Sequence, residues 1–464
     1  MKKTSLSALA AAGLLVGGLS VTSASAADLG GNCCADLEER IAELEATTAR
    51  KGNRKVSLTV YGQVNQGVLW WDDGFESNAG VYTNDNSRTR IGFRGNAKID
   101  SEWSAGYRLE IGVRSANSKR FTQDDHTGEA GLDLRDSHWY IDSKRLGRVT
   151  VGRGGTATDQ ITEINLTQTA DFAKYSDVED TGLGLSLRRT DGLLSSQYQY
   201  RRLIGVHGDQ PGEGERRFDG VTYQTPTLAG FTASATWASD DYWDIALRYA
   251  GELGPFKLAA GIGYGEITDG NQSQTACAAI ATAAVPAIPG VSSDADCNQF
   301  GGSISAVHQP TGLFVNFGAG QKRDNLVNDL VLFDNVAVDD KETFWALQAG
   351  IERKWTPFGN TTIYGEYYNY DGGANSRRLD AAFAGTANNA AVVSTGLESW
   401  GLGIAQGFDA AALTLYLSYR HVKGDITVLD VDAPGAGGSA IAGTASAVPL
   451  ESLDLVFAGG IIKF

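Results

Sequence analysis

The residues best placed to do chemistry in this chain are arginines that recur at one parity. Arg88, Arg90, Arg94, Arg108 and Arg114 all stand at even positions of two neighbouring segments, with Lys98 beside them and only Glu110 to oppose them. A soluble surface mixes its signs on both faces. Guanidinium groups crowded on one face repel one another, and they are tolerable where a counter-charge faces them across water. Such a row breaks no bonds; it sets up a field that acts on charged or dipolar solutes.

Signatures of bond-making chemistry are missing from the sequence. There is no G-K-[ST] phosphate loop, no H-E-x-x-H and no G-x-S-x-G. His126, His138, His207, His308 and His421 are scattered without metal-ligand spacing, and no cofactor motif accompanies them. Ser137 and His138 are adjacent, but neighbours on a strand point to opposite faces and cannot relay a proton. Gly261-Ile-Gly-Tyr-Gly265 sits inside an alternating strand, where glycine marks a bend or close packing rather than a nucleotide site.

The elements that position the arginines are strands. In 56–70 one parity carries Val56, Leu58, Val60, Val64, Val68 and Trp70, and the other Ser57, Thr59, Tyr61, Gln63 and Asn65. In 87–99, Ile91, Phe93, Ala97 and Ile99 alternate with the arginines, and 103–114 sets Trp103, Ala105, Tyr107, Leu109, Ile111 and Val113 against Arg108, Glu110 and Arg114. The pattern returns in 231–237, 345–351 and 413–419. Period two predicts Val60, Phe93, Leu109 and Leu415 on an apolar face and Tyr61, Arg90 and Arg108 on a wet one.

Connections alternate too. Short turns at 100–102, 143–147, 190–192, 226–230, 251–255, 308–312, 356–359 and 409–410 separate long polar or Gly-rich stretches such as 72–86, 115–131, 154–181, 202–217, 266–299, 321–341, 371–398 and 423–450. Short connections at one end and long ones at the other describe a closed antiparallel barrel standing in a membrane, all-β, with 16–18 strands; eight turns plus a strand at each chain end favour 18. A soluble sandwich also alternates its faces. The apolar face here, however, ends in Trp70, Trp103, Tyr107, Trp237 and Tyr419, where a lipid–water boundary would fall.

Composition agrees. The chain has 464 residues, and 39 Lys+Arg against 55 Asp+Glu leave a formal charge of −16, which argues against a nucleic-acid partner. A hydrophobic fraction of 42% excludes a disordered polymer. Glycine at 58 residues, with 9 Pro and a single Met, points to many turning strands rather than a helical core. Residues 1–26 read as a signal peptide: Lys2 and Lys3, an apolar stretch from Leu6 to Val21, then Ala24-Ser25-Ala26. Residues 27–54 form an N-terminal periplasmic segment. Within it, 36–50 repeats Leu37, Ile41, Leu44 and Thr48 at coiled-coil spacing over barely two heptads. That stretch is either a helix that needs partners or a polar leader. The barrel would occupy 55–464. In the oxidising compartment an exported chain meets, Cys277 and Cys297 read as a disulfide closing one long loop, whereas vicinal Cys33 and Cys34 suit a bond between subunits or free thiols.

The chain also resembles a known family, the general diffusion porins of Gram-negative outer membranes, in particular the alphaproteobacterial branch with a short coiled segment before the first strand. The resemblance runs over nearly the whole mature chain. It rests on Thr89-Arg90-Ile91-Gly92-Phe93-Arg94-Gly95, on Asp191-Gly192-Leu193 followed by Gln197-Tyr198, on Tyr242-Trp243 followed by Leu247-Arg248-Tyr249, and on the terminal Phe464. It implies a homotrimer in outer-membrane lipid and lipopolysaccharide, each subunit a water-filled channel for small hydrophilic solutes and ions. It also implies a third long loop folded inward, whose acidic residues face a wall of arginines. By strand order that loop is 154–181, with Asp159, Glu163 and Asp171 as its acidic candidates. The Pro-Glu-Phe-Gly-Gly segment of enterobacterial relatives is absent. Two other functions are weighed against a channel: an outer-membrane barrel hydrolase, and an envelope tether using the N-terminal coil, which spans only about 22 Å as a helix.

Overall fold

The computed structural model describes residues 55–128, 130–204, 210–213, 217–238, 241–268, 296–325, 340–373, 378–386, 390–430 and 445–464. The signal and coil readings, and Cys33, Cys34 and Cys277, lie outside them. The chain divides into two compact units, Met1–Lys55 and Val56–Phe464, and the second is the one described below.

Sixteen strands form its wall. In chain order they are β1 Thr59–Asp72, β2 Arg90–Lys98, β3 Trp103–Arg114, β4 Gly131–Ser143, β5 Gly147–Gly154, β6 Phe218–Gln224, β7 Phe231–Ala238 and β8 Tyr242–Leu253. The second half comprises β9 Phe256–Ile267, β10 Cys297–His308, β11 Leu313–Asp324, β12 Lys341–Thr356, β13 Gly359–Gly372, β14 Ala390–Phe408, β15 Leu413–Asp430 and β16 Leu453–Lys463. Each pairs antiparallel with its sequence neighbours, and β16 closes on β1 through Val64 opposite Ile462 and Val68 opposite Ala458. Closure leaves no unpaired edge for the membrane to solvate.

The side-chain register follows the period of the sequence. Val60 lies opposite Phe93, and Phe93 opposite Leu109, so all three share a face. Outward side chains such as Val60, Trp139, Trp237, Ile245 and Leu415 are exposed on the chain alone, although they are apolar. That is what a wall solvated by lipid requires. The high glycine content also has a local cause. Tyr61 lies opposite Gly92, Tyr364 opposite Gly403 and Tyr416 opposite Gly459. In each pair the ring covers the glycine so closely that a Cβ there would approach a tyrosine side-chain atom to 2.4–2.5 Å. These inward rings lie flat over the opposite strand, which shields its backbone and narrows the lumen.

Sixteen strands rather than 18 make the wall, and the reason is specific. The turn at Thr190–Gly192 is the tip of a small hairpin, Ser186–Arg188 paired with Leu194–Gln199, which forms its own two-stranded sheet. Gly192 there has φ +90°, and a tight turn reads the same in a loop as at the barrel rim. The stretches 154–181 and 202–217 therefore belong to one connection, residues 155–217, running from β5 to β6. Ser77–Thr83, in the first long connection, pairs with the upper half of β1 as an extra strand.

Candidate functional site

The described residues of connection 155–217 lie inside the barrel. Its first turn is fixed by Asp244 on β8, whose carboxylate accepts from the backbone N–H groups of Ala157 (3.1 Å) and Thr158 (2.8 Å) and from the Thr158 hydroxyl (2.6 Å). Ile164 and Leu166 then donate their N–H groups to Ser303 and Ser305 on β10, and Gln168 bonds Glu352 on β12 and Thr362 on β13. Phe172 stacks on Tyr416 of β15 with ring centroids 4.8 Å apart. Beyond it, Leu183, Leu185, Leu187, Tyr198 and Leu203 are fully buried against inward residues of β1 and β13–β16, among them Leu69, Tyr368, Val422 and Leu455. The hairpin is held at the long-loop end, where Arg188 bonds Asp73 and Glu76.

The arginines that share one parity do come together. Glu110 receives Arg108 at 2.7 Å, Arg135 at 2.7 Å and Arg90 at 3.5 Å. Arg88 bonds Asp85 at 3.0 Å and Asp133 at 2.9 Å, and Arg114 reaches Asp133 at 3.5 Å. Arg108 also meets Asp136 at 3.3 Å. Arg94 lies over the Tyr61 ring, 5.2 Å from its centroid. Glu110 is the acid that β2 and β3 themselves set against the row, and Asp133 and Asp136 on β4 join it from the same wall. Arg135 escaped the sequence reading because it sits where the β3–β4 register shifts: Glu110 pairs with Asp136 and Ile111 with Leu134. A bulge of this kind re-aims one side chain and obeys no period.

Next to that row along the wall, a cavity of about 540 Å³ opens between the first part of the connection and β4–β8. Asp159, Glu163, Lys174, His138, Arg148 and Arg248 supply its charged and titratable lining. Asp159 packs over Gly155, and its backbone carbonyl accepts from Arg248 at 2.6 Å. Glu163 is buried and shares the Lys174 ammonium with Asp177, at 2.8 and 3.0 Å. Burial first, and then the Asp177 charge, push its carboxyl well above the usual carboxylate range against the pull of Lys174. Asp171 stands elsewhere, bonded to Lys463 at 2.6 Å beside β1. The three acidic candidates therefore do not form one row.

Ser137 shares the outward register of Leu109, while the inward His138 ring sets its Nδ1 3.1 Å from the Arg153 carbonyl. The two do not meet. Cys297 is buried at the start of β10, while Cys277 lies outside the described residues, so their pairing stands as a proposal. Arg148 and Arg248 could have been found as lumen residues from the sequence, since both lie on inward parities of alternating strands; Arg248 was read only as part of a family motif, and Arg148 shares its short strand with Arg153 on the other parity.

A family profile described as Gram-negative porin matches residues 7–425 of the chain. An anion-selective porin from Comamonas acidovorans has the same fold, with 18% identity over 88% of this chain and 100% of that one, and a TM-score of 0.51. A loop L8 deletion mutant of OmpT, an outer membrane protein of Vibrio cholerae, aligns at 10% identity over 88% and 100% of the two chains with a TM-score of 0.49. OmpF of Salmonella typhi in complex with daunomycin aligns at 13% over 88% and 98% with a TM-score of 0.46. No curated protein matches the chain.

Proposed function

The chain belongs to the Gram-negative porin family and forms a diffusion channel in the outer membrane, and from that premise we propose that connection 155–217 sets what passes. The observation that carries this reading is the placement of the connection inside a closed wall, where it covers β13–β16 yet leaves a polar cavity of about 540 Å³ along β4–β8. Small hydrophilic solutes and ions would cross there, sorted by size and by the field between the arginine network and the loop charges.

Other parts of the reading are proposals of the same kind. Residues 1–26 would be removed on export, 27–54 would stand in the periplasm, and Cys277 would pair with Cys297. The chain would assemble as a homotrimer among outer-membrane lipid and lipopolysaccharide, and it would do no catalysis. In planar bilayers the full chain is expected to give stepwise conductance, in triplets if trimeric, with neutral polymers excluded above a sharp size. Ester hydrolysis without conductance would replace the channel with the hydrolase. Pull-down by peptidoglycan without conductance would favour the tether.

A further inference from the structure

The 540 Å³ cavity differs chemically from the arginine network. On β5–β8 its wall is a strip of uncharged hydrogen-bonding groups: Thr150 opposite Thr222, Gln224 opposite Ser234, and Thr232 opposite Arg248. Hydroxyls and amides both donate and accept, so this strip matches a solute carrying several hydroxyls. Arg248 stands at one end. Its guanidinium is held by two backbone carbonyls, of Ala157 and Asp159, each at 2.6 Å, and it has no carboxylate within salt-bridge distance among the described residues. Arg148 at the other end is already engaged, by Asp142 at 3.0 Å and by the Tyr140 ring.

Two carbonyl contacts use two of the five guanidinium N–H donors, and the carboxylates of Asp159, Glu213 and Asp244 act on the cation only from beyond salt-bridge distance. The remaining donors suit a carboxylate, which guanidinium binds in a forked, charge-assisted geometry. Arg248 stands opposite Thr232, while Ser234 and Thr222 lie two and four residues further along the strands, roughly 7 and 14 Å away. The extended arginine, whose guanidinium reaches Ala157 beside Thr236, and a six-carbon chain together cover that span. We propose that this strip is a solute-binding subsite for a hydroxylated carboxylate of the sugar-acid class, its carboxylate on Arg248 and its hydroxyls on Thr222, Ser234 and Gln224. The inference rests on the channel reading above and adds a substrate class to it. Asp159 opposes it, since its carboxylate lines the same cavity, and it therefore supplies a second test.

The experiment uses the full chain in planar bilayers in potassium chloride, with potassium gluconate as the probe and acetate and sorbitol as comparators. Each is titrated for its power to interrupt the ionic current. Gluconate is expected to act about tenfold more strongly than acetate, the scale of one good hydrogen-bonded set, and sorbitol hardly at all. Arg248→Gln should abolish the gluconate effect, and Asp159→Asn should strengthen it. Because Arg248 also steadies the connection, Thr222→Val paired with Ser234→Ala keeps the test independent: the ratio of gluconate to acetate affinity should fall towards one. Equal action of gluconate and acetate on the natural chain, or a ratio that survives both sets of variants, would overturn the subsite while leaving the channel intact. A chain that conducts nothing would overturn the channel reading itself.

Discussion

The inner wall has two halves built from the same alternating strands, and they differ in what fills the inward positions. On β13–β16 those positions hold Tyr364, Tyr368, Leu397, Val422, Leu453 and Phe457, all buried beneath connection 155–217. On β2–β8 they hold Arg90, Arg108, Glu110, Thr222, Ser234 and Arg248, facing one another or the open cavity. A strand apolar on both faces is covered on both faces, by lipid outside and by the connection inside. A strand apolar on one face meets water on the other. The barrel closes either way, so the interior is free to be plug or passage according to residue type alone.

The largest expected effect comes from breaking the covered half. Leu185 is fully buried between the connection and the wall, and Leu185→Asp would place a carboxylate there without a partner. The cost is about 3–5 kcal/mol, on the scale of an uncompensated buried charge. The hairpin should leave its seat and the covered half should open, raising single-channel conductance and the polymer exclusion size together. An unchanged exclusion size would mean that this half does not limit the lumen.

Next in size is the anchor on the open side. Asp244→Ala strips three donors of the first turn of their shared acceptor. The Ala157 N–H keeps the Thr236 hydroxyl at 2.7 Å, so the loss falls on Thr158 and costs about 1–3 kcal/mol of loop docking. Proteolysis within 155–165 on the folded chain should become faster, with the wall intact. If cleavage is no faster than in the natural chain, the later contacts to Ser303 and Ser305 hold the loop by themselves.

How much of this was legible in the sequence follows from the same contrast. Period two gave the faces of β1–β3 correctly, because lipid and water pull the two parities apart, and it singled out Arg88, Arg90, Arg108 and Arg114, which the structure gathers around Glu110 and Asp133. It also counted 190–192 among the turns of the barrel wall, although the segment before it carries Leu183, Leu185 and Leu187 inside the barrel. Their alternation is genuine, but it belongs to a loop buried on both sides, and periodicity cannot distinguish a lipid-facing strand from an interior one. Arg135 was hidden by a bulge. The separation of Asp159, Glu163 and Asp171 depends on where the connection touches β8, β12 and β16, contacts distant in sequence.

A smaller effect sharpens the electrostatic half. Replacing Arg90 and Arg94 by glutamine removes two cations while Glu110 stays, so the reversal potential in a salt gradient should move towards cations. Glu110→Gln should move it towards anions, because Arg90, Arg108 and Arg135 then lose a shared counter-charge. Each change in permeability ratio should be roughly two- to threefold, the size of about half a kcal/mol of screened interaction, and should shrink as salt rises. Shifts of the same sign from both variants would mean that the network is a structural strut rather than the source of the field.

The smallest effect is a pH dependence at Glu163, where the two halves meet along the connection. Glu163 and Asp177 share one ammonium, Lys174, with Tyr175 and Glu213 close by, and the Glu213 carboxylate accepts from the Thr162 N–H at 2.9 Å. Burial, and then Asp177, raise the Glu163 carboxyl above its ordinary value of 4.5. A carboxyl raised in the docked state binds its proton more tightly there than when released. Its contribution to docking is therefore complete below the ordinary value and is lost as pH rises through the raised one. Conductance should accordingly be lowest in acid and climb gently over a window above the usual carboxylate range, as ionised Glu163 and Asp177 push segment 155–181 apart. The Lys174 ammonium between the two carboxylates offsets part of the repulsion, which keeps the change small. Glu163→Gln mimics the protonated side chain, so the variant should hold the acid value at every pH while keeping the selectivity set by the arginines. A climb that persists in Glu163→Gln would assign the titration to Asp177 or Glu213 instead.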